Sequence, residues 1–188
     1  MSSQTTVTPA MRTILVDWLV EVHNRFKLVQ ETVFLTVHIL DRALALIPVP
    51  RAKLQLLGLA CFLIASKYED TYPPRINDLI IVSNKAFTRS EILAMESTVL
   101  EKIHYDLGTP VPLHFLRRYS KVADSDAETH TLAKYLIELA QLDYEMCQFK
   151  YSQQGAAALY LARQVFSLQP WVSVKSSNEI LFKLLFGK

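Results

Sequence analysis

Four charged residues stand among apolar neighbours, and they mark where this sequence could do chemistry. Glu96 lies on an apolar stripe at helical spacing, and Asp41 lies beside another. Lys67 directly follows a long apolar run, and Arg12 shares a helix face with leucine and valine residues. Each charge needs a partner, because an unpaired buried ion costs several kcal/mol. Two interpretations stay open: two ion pairs inside the chain, or groups that reach a partner protein.

The usual catalytic and cofactor-binding motifs are missing. The 4 glycines stand alone in the sequence, so neither a phosphate-binding loop nor a dinucleotide fingerprint can form. The 5 histidines are scattered without the close spacing that a zinc site requires. No serine lies in a nucleophile elbow. We therefore expect no enzymatic activity, no cofactor and no metal ion.

The first predicted helix has too much apolar surface for a single buried face. One stripe consists of Met11, Ile14, Leu15, Trp18 and Val22, and a second of Val16, Leu19 and Val20. One stripe can face the core, and the other has two explanations. The helix is packed on both sides, or it exposes an apolar groove edged by Glu21. Such a groove would bind a short peptide through an aliphatic anchor and a basic residue.

Composition narrows the class of protein. Hydrophobic residues make up 51% of the 188, and 20 Lys and Arg against 18 Asp and Glu give a net charge of only +2. The chain can therefore bury a large core, and we expect neither a nucleic-acid partner nor a membrane. The longest run without a charge, residues 54–66, is too short to span a bilayer. Cys61 and Cys147 lie in apolar surroundings, which favours buried, reduced thiols.

Apolar periodicity predicts an all-α protein. Thr8 and Pro9 are typical of a helix start, and Thr88 with Glu91 forms a capping-box pattern. A helix that is apolar on every face should be the central one of its domain, and the third predicted helix is of this kind. The predicted helices cover about residues 9–26, 31–46, 51–68, 77–82, 88–104, 113–122, 127–144, 152–166 and 178–186.

A boundary between two domains is predicted at residues 108–112, Gly-Thr-Pro-Val-Pro. We therefore expect domains over 9–108 and 109–188. Residues 58–65 align with 155–162 at an offset of 97, on the third helix of each half. The alignment favours two tandem copies of one five-helix unit.

Several motifs resemble the cyclin family. Residues 11–22, Met-Arg-Thr-Ile-Leu-Val-Asp-Trp-Leu-Val-Glu-Val, resemble the opening of the cyclin box. They are followed in family order by Lys-Leu-Gln-Leu at 53–56, Ala-Ser-Lys-Tyr-Glu-Asp at 65–70, Tyr-Pro-Pro at 72–74 and Met-Glu at 95–96. Residues 26–32, 112–118 and 130–136 are similar to mitotic B-type cyclins. The resemblance implies tandem five-helix cyclin folds.

The resemblance also implies roles for single residues. Arg12 and Asp41 match a buried structural ion pair. Residues that match the kinase-binding face are Lys67, Tyr68, Glu69, Glu96 and Tyr105. Residues that match the docking groove for Arg-x-Leu substrates and inhibitors are Met11, Ile14, Leu15, Trp18, Glu21, Arg51, Leu54 and Gln55.

The implied function is a regulatory subunit that binds and activates a cyclin-dependent kinase in mitosis, in the nucleus and cytoplasm. An alternative is a cyclin-fold module of a transcription factor or a pocket protein, although 11 basic and 11 acidic residues in 1–108 argue against DNA binding.

The second domain has Gln164 where the first has Lys67, so only the first should carry the kinase-binding pair. Residues 172–188 depart from the family pattern and are too short for two full helices. An incomplete second fold is therefore one of two open interpretations, the other being a complete one.

Overall fold

A computed structural model describes residue 4 and residues 6–167. The chain divides into two compact units, Met1–Thr109 and Pro110–Lys188. Eight α-helices, two 3₁₀ turns and no strand occur in the described residues, so the predicted all-α class is confirmed. No helix in this part of the chain has the length and apolar character needed to cross a membrane.

The first unit contains five α-helices. They are α1 (Pro9–Phe26), α2 (Gln30–Leu46), α3 (Leu54–Glu69), α4 (Ile76–Val82) and α5 (Arg89–Lys102), with a 3₁₀ turn, Arg51–Lys53, before α3. The side chain of Thr8 caps α1 by accepting a hydrogen bond from the Met11 amide at 3.3 Å. Thr88 and Glu91 form the predicted capping box of α5. Both predicted helix starts are confirmed, because each cap satisfies amides that have no partner inside the helix.

Helix α3 is the centre of this unit. All but one of its residues from Leu54 to Ser66 are buried, and it packs on α1, α2 and α5. A helix that is apolar on every face loses free energy wherever it meets water, so burial on all sides is its most stable position. The predicted central position of the third helix is confirmed.

The second unit contains α6 (Pro112–Val122), α7 (Ala127–Ala140) and α8 (Tyr151–Val165), with a 3₁₀ turn, Tyr144–Gln148, between the last two. The predicted extension of α7 to Tyr144 is wrong. The carboxylate of Asp143 accepts a hydrogen bond from the Glu145 amide at 2.9 Å and starts the 3₁₀ turn instead. Aspartate stabilises such starts because its short side chain competes for backbone amides.

Two smaller expectations also differ from the structure. Helix α5 ends at Lys102 rather than His104, because His104 and Tyr105 both adopt left-handed conformations with φ of 56°. Cys61 is buried, but Cys147 is exposed in the 3₁₀ turn, so the expectation of two buried thiols is wrong for Cys147. The predicted helix over 178–186 and the completeness of the second fold lie outside the described residues.

The two aligned glycines have the same structural role in their units. A Cβ at Gly58 of α3 would lie 2.8 Å from Cδ1 of Leu15 in α1. A Cβ at Gly155 of α8 would lie 3.1 Å from the amide nitrogen of Leu116 in α6. In each unit the third helix therefore has glycine where the first helix approaches most closely, which supports the tandem repeat inferred from the sequence.

Candidate functional site

Lys67 and Glu96 form an ion pair between α3 and α5. The ammonium of Lys67 donates to Oε1 of Glu96 at 2.7 Å and to Oε2 at 2.9 Å. Glu96 stands between Ile92 and Val99, which are both fully buried, so α5 carries its carboxylate toward the end of α3. Lys67 lies in the last turn of α3, where the helix dipole favours a cation.

The pair is internal but not sealed from solvent. The side chain of Lys67 is 47% exposed, whereas that of Glu96 is 10% exposed. An ammonium has three N–H donors, and Glu96 takes two of them. The arrangement therefore gives each charge a partner and presents a cation that can bind one more acceptor from outside.

Aromatic side chains are exposed near the ends of the same two helices. Tyr68 follows Lys67 in α3 and is 53% exposed, and the next residue, Glu69, is partly buried. Tyr105 is 66% exposed in the turn after α5. The structure thus brings Lys67 and Glu96 into contact and leaves the Tyr105 side chain largely in solvent. Exposed tyrosine favours protein–protein contact, because its ring adds large buried area at low entropic cost.

Arg42 of α2, which sequence reasoning missed, holds the turn that carries Tyr105. Its guanidinium donates to the carbonyl oxygens of Asp106 at 2.5 Å and of Ile103 at 3.2 Å. It also lies 3.3 Å from the Asp106 carboxylate. These bonds stabilise two consecutive left-handed residues, which would otherwise be strained. No periodic signal could reveal Arg42, because its partners lie more than 60 residues away in the sequence.

Arg12 and Asp41 form a second ion pair, between α1 and α2. The Arg12 Nε atom lies 2.6 Å from Oδ1 of Asp41, and Nη2 lies 2.8 Å from Oδ2. The two parallel bonds match the planar guanidinium to the carboxylate. Arg12 is fully buried and Asp41 is partly buried, so this pair joins two helices rather than facing a partner.

An apolar groove of about 390 Å³ lies along α1 and the start of α3. Its lining residues are Met11, Ile14, Leu15, Trp18, Arg51, Leu54 and Gln55. Helix α1 buries Val16 and Leu19 in the core. Of its other apolar stripe, Leu15 and Val22 are buried as well, whereas Met11 and Trp18 are partly exposed and Ile14 is 70% exposed. Glu21 is exposed on α1 and does not belong to this lining. We call this surface the docking groove.

The described residues contain no cluster of three His, Cys, Asp or Glu that could hold a metal ion. Burial raises the pKa of the Cys61 thiol far above its ordinary value, which makes this thiol unreactive. The two candidate surfaces are the Lys67–Glu96 pair with the exposed Tyr68 next to it in α3, and the apolar groove. Exposed aromatic and apolar surfaces of this kind suit contacts with other proteins.

Comparison with known proteins decides the family. The model of the cyclin N-terminal domain matches residues 1–108, and that of the cyclin C-terminal domain matches residues 110–176. The chain belongs to the cyclin family. This cyclin is 53% identical to the G2/mitotic-specific cyclin-B2 of Oryzias javanicus over 165 residues, which cover 88% of this chain and 43% of that protein. It is 48% identical to the cyclin-B2 of Homo sapiens over 161 residues, which cover 86% of this chain and 40% of that protein.

Solved structures agree with the fold. A viral cyclin from herpesvirus saimiri aligns with a TM-score of 0.86 and 25% identity, over 96% of this cyclin and 85% of that chain. A chain of the yeast RNA Pol II CTD kinase CTDK-1 complex aligns with a TM-score of 0.76 and 15% identity, over 92% of this cyclin and 63% of that chain. At this low identity the alignment supports the shared fold and nothing about function. The resemblance to mitotic B-type cyclins and the tandem cyclin folds are confirmed, and the chain spans about two fifths of the length of its B2 relatives.

Proposed function

We propose that this chain is the regulatory subunit of a mitotic cyclin-dependent protein kinase. The observation that carries the proposal is the Lys67–Glu96 pair, which presents a half-exposed ammonium next to the exposed Tyr68 in a chain whose relatives are mitotic cyclins. No bond is made or broken on this chain. Its contribution is binding energy that favours one conformation of the kinase.

The mechanism follows from what a protein kinase requires. The lysine of its third strand must pair with a glutamate on the αC helix, and a displaced αC keeps the enzyme inactive. Lys67 and Glu96 would bind polar groups at the end of αC, and Tyr68 and Tyr105 would bury neighbouring apolar surface. In this proposal the surface binds αC more tightly in its active position than in its inactive one, and this difference in affinity shifts the kinase toward its active state.

The test is a kinase-binding and activation assay on the double variant Lys67→Ala/Glu96→Ala. We expect binding to weaken by at least about 2 kcal/mol, about 30-fold in the dissociation constant, because a desolvated charge contact is lost. The matched control is Glu101→Ala/Lys102→Ala, which removes one anion and one cation from exposed positions on α5. Unchanged binding and activation by the first variant would contradict the proposed role.

The docking groove is proposed to bind Arg-x-Leu sequences in substrates and inhibitors. Its apolar walls suit a leucine, and the exposed carboxylate of Glu21 lies on the same helix as Trp18 for the basic residue. Docking raises the effective concentration of a substrate at the kinase without changing the chemistry.

Trp18→Ala should spare phosphorylation of short peptides and slow phosphorylation of proteins that carry a docking sequence. Leu46→Ala, an exposed apolar residue of α2 outside the groove, is the control. Equal loss on both substrates would argue against a separate docking function. We further propose nuclear and cytoplasmic pools of the protein, which microscopy of a tagged chain would test.

A further inference from the structure

The turn after α5 carries Tyr105 in an unusual backbone conformation. His104 and Tyr105 both have φ of 56°, in the left-handed region that only glycine occupies freely. Their amides donate back to the carbonyl oxygens of Glu101 at 3.1 Å and of Leu100 at 3.0 Å. Two consecutive residues with large side chains are strained in this conformation, so the turn needs support from outside itself.

Arg42 of α2 gives the turn this support. Its Nη1 atom donates to the carbonyl oxygen of Asp106 at 2.5 Å, and its Nη2 atom donates to that of Ile103 at 3.2 Å. One planar guanidinium therefore fixes the backbone on both sides of Tyr105. The ion pair with the Asp106 carboxylate is longer, at 3.3 Å, and the Asp106 side chain is 65% exposed. The charge contact is thus screened by water, and the two carbonyl bonds are the contacts that hold the turn.

We propose that Arg42 is a positioning residue for kinase binding, which acts by fixing the turn that presents Tyr105. This role rests on the proposed function, and it adds a residue that acts through Tyr105 rather than by contact with the kinase. An exposed ring loses conformational freedom when a partner buries it, and this loss weakens binding. A turn that already has one conformation reduces the loss, so the Arg42 bonds raise the affinity for the kinase.

The test measures the dissociation constant of the full chain for the same cyclin-dependent kinase that is used with Lys67→Ala/Glu96→Ala. We expect Arg42→Ala to bind this kinase at least about fivefold more weakly than the native chain, because the turn is no longer preorganised. Arg42→Lys keeps a cation and a donor but lacks the planar fork, so it should lose less affinity. Urea denaturation of each variant sets the conditions in which it is folded and its binding is measured.

Two controls separate the hold on the backbone from the effect of charge. Asp106→Asn removes the ion pair and leaves the carbonyl oxygen that accepts from Arg42. Arg89→Ala removes an exposed arginine at the opposite end of α5. Both variants should bind the kinase like the native chain. A loss of affinity in Asp106→Asn as large as that in Arg42→Ala would overturn the proposal, because the ion pair would then be the contact that matters.

Two further variants give results that general destabilisation would not produce. In a Tyr105→Ala background, Arg42→Ala should change the affinity by less than about twofold, because the side chain that it positions is absent. In an Arg42→Ala background, His104→Gly should recover part of the affinity, because glycine adopts a φ of 56° without steric cost. Additive losses from Arg42→Ala and Tyr105→Ala, or no recovery with His104→Gly, would overturn the proposal.

The same measurements distinguish this role from the proposed function. If Lys67→Ala/Glu96→Ala and Tyr105→Ala weaken kinase binding and Arg42→Ala does not, the kinase-binding face stands and the role of Arg42 alone is overturned. If none of these variants weakens kinase binding, the proposed function fails and the role of Arg42 fails with it.

Discussion

Lys67 donates to both carboxylate oxygens of Glu96, at 2.7 and 2.9 Å, yet the two partners differ nearly fivefold in exposure. Water can solvate the ammonium if its partner is removed. It reaches the carboxylate much less readily, because the fully buried Ile92 and Val99 flank Glu96 on α5. The two halves of this ion pair should therefore contribute unequally to the stability of the first unit.

Lys67→Met should destabilise the chain more than Glu96→Gln. The first change leaves a largely buried carboxylate without its cation, at a cost of about 2 kcal/mol in the free energy of unfolding. The second leaves an ammonium that solvent reaches and an amide that still accepts a hydrogen bond, at a cost of about 1 kcal/mol or less. Urea denaturation of both variants checks the order, and the reverse order would show that Glu96 is solvated more freely than its burial indicates.

The helices could be predicted from the sequence, whereas the contacts between them could not. Apolar periodicity and helix capping depend on residues that are close in the sequence. The starts of α1 and α5 therefore follow from the Thr8–Pro9 and Thr88–Glu91 patterns. Lys67 and Glu96 could be singled out as charges beside apolar runs. Their pairing depends on how α3 packs on α5, and nothing in a spacing of 29 residues reports that distance.

The features that the sequence analysis missed depend on contacts between distant residues or on side chains that start a turn. Arg42 acts on a turn more than 60 residues away, so periodicity within α2 gives no sign of it. The end of α7 depends on one side chain, because the Asp143 carboxylate binds a backbone amide and starts a new turn while the apolar pattern continues. The groove required both local and long-range information. The two apolar stripes predicted unused surface on α1, and only the packing of α1 on α3 shows that Ile14 remains exposed while Leu15 and Val22 are buried.

Alanine at the two aligned glycines should have different consequences. At Gly155 a new Cβ meets backbone atoms, the amide of Leu116 at 3.1 Å and the carbonyl oxygen of Pro112 at 3.3 Å. Since the backbone moves with difficulty, Gly155→Ala should cost about 1–2 kcal/mol of unfolding free energy despite the better helix propensity of alanine. Urea denaturation measures this loss, and a stabilised variant would show that α6 can move away from α8.

At Gly58 the new Cβ meets the end of the Leu15 side chain, which can rotate but lines the docking groove. Gly58→Ala should therefore change stability by less than about 1 kcal/mol while weakening an Arg-x-Leu peptide severalfold in anisotropy titrations. Gly108→Ala is the control, since the nearest atom to its Cβ would be 3.9 Å away. Unchanged peptide affinity in Gly58→Ala would show that Leu15 adjusts without altering the groove.

His38 should make the stability of the first unit depend on pH. Burial lowers the pKa of His38 below its ordinary value of 6.5, and the charge of Arg42 lowers it further, while the carboxylates of Asp41 and Asp106 oppose both effects. The folded chain therefore binds this proton less readily than the unfolded chain, so stability is complete above about pH 6.5 and declines as the pH falls toward the lowered value. Urea denaturation between pH 7.5 and 5.5 should show this decline in the native chain and a shallower one in His38→Gln.

The His130 pKa is lowered as well, by burial first and then by Lys134 and Arg117, so His38→Gln/His130→Gln should flatten the profile further. Equal slopes for the native chain and the double variant would mean that other groups set the pH dependence.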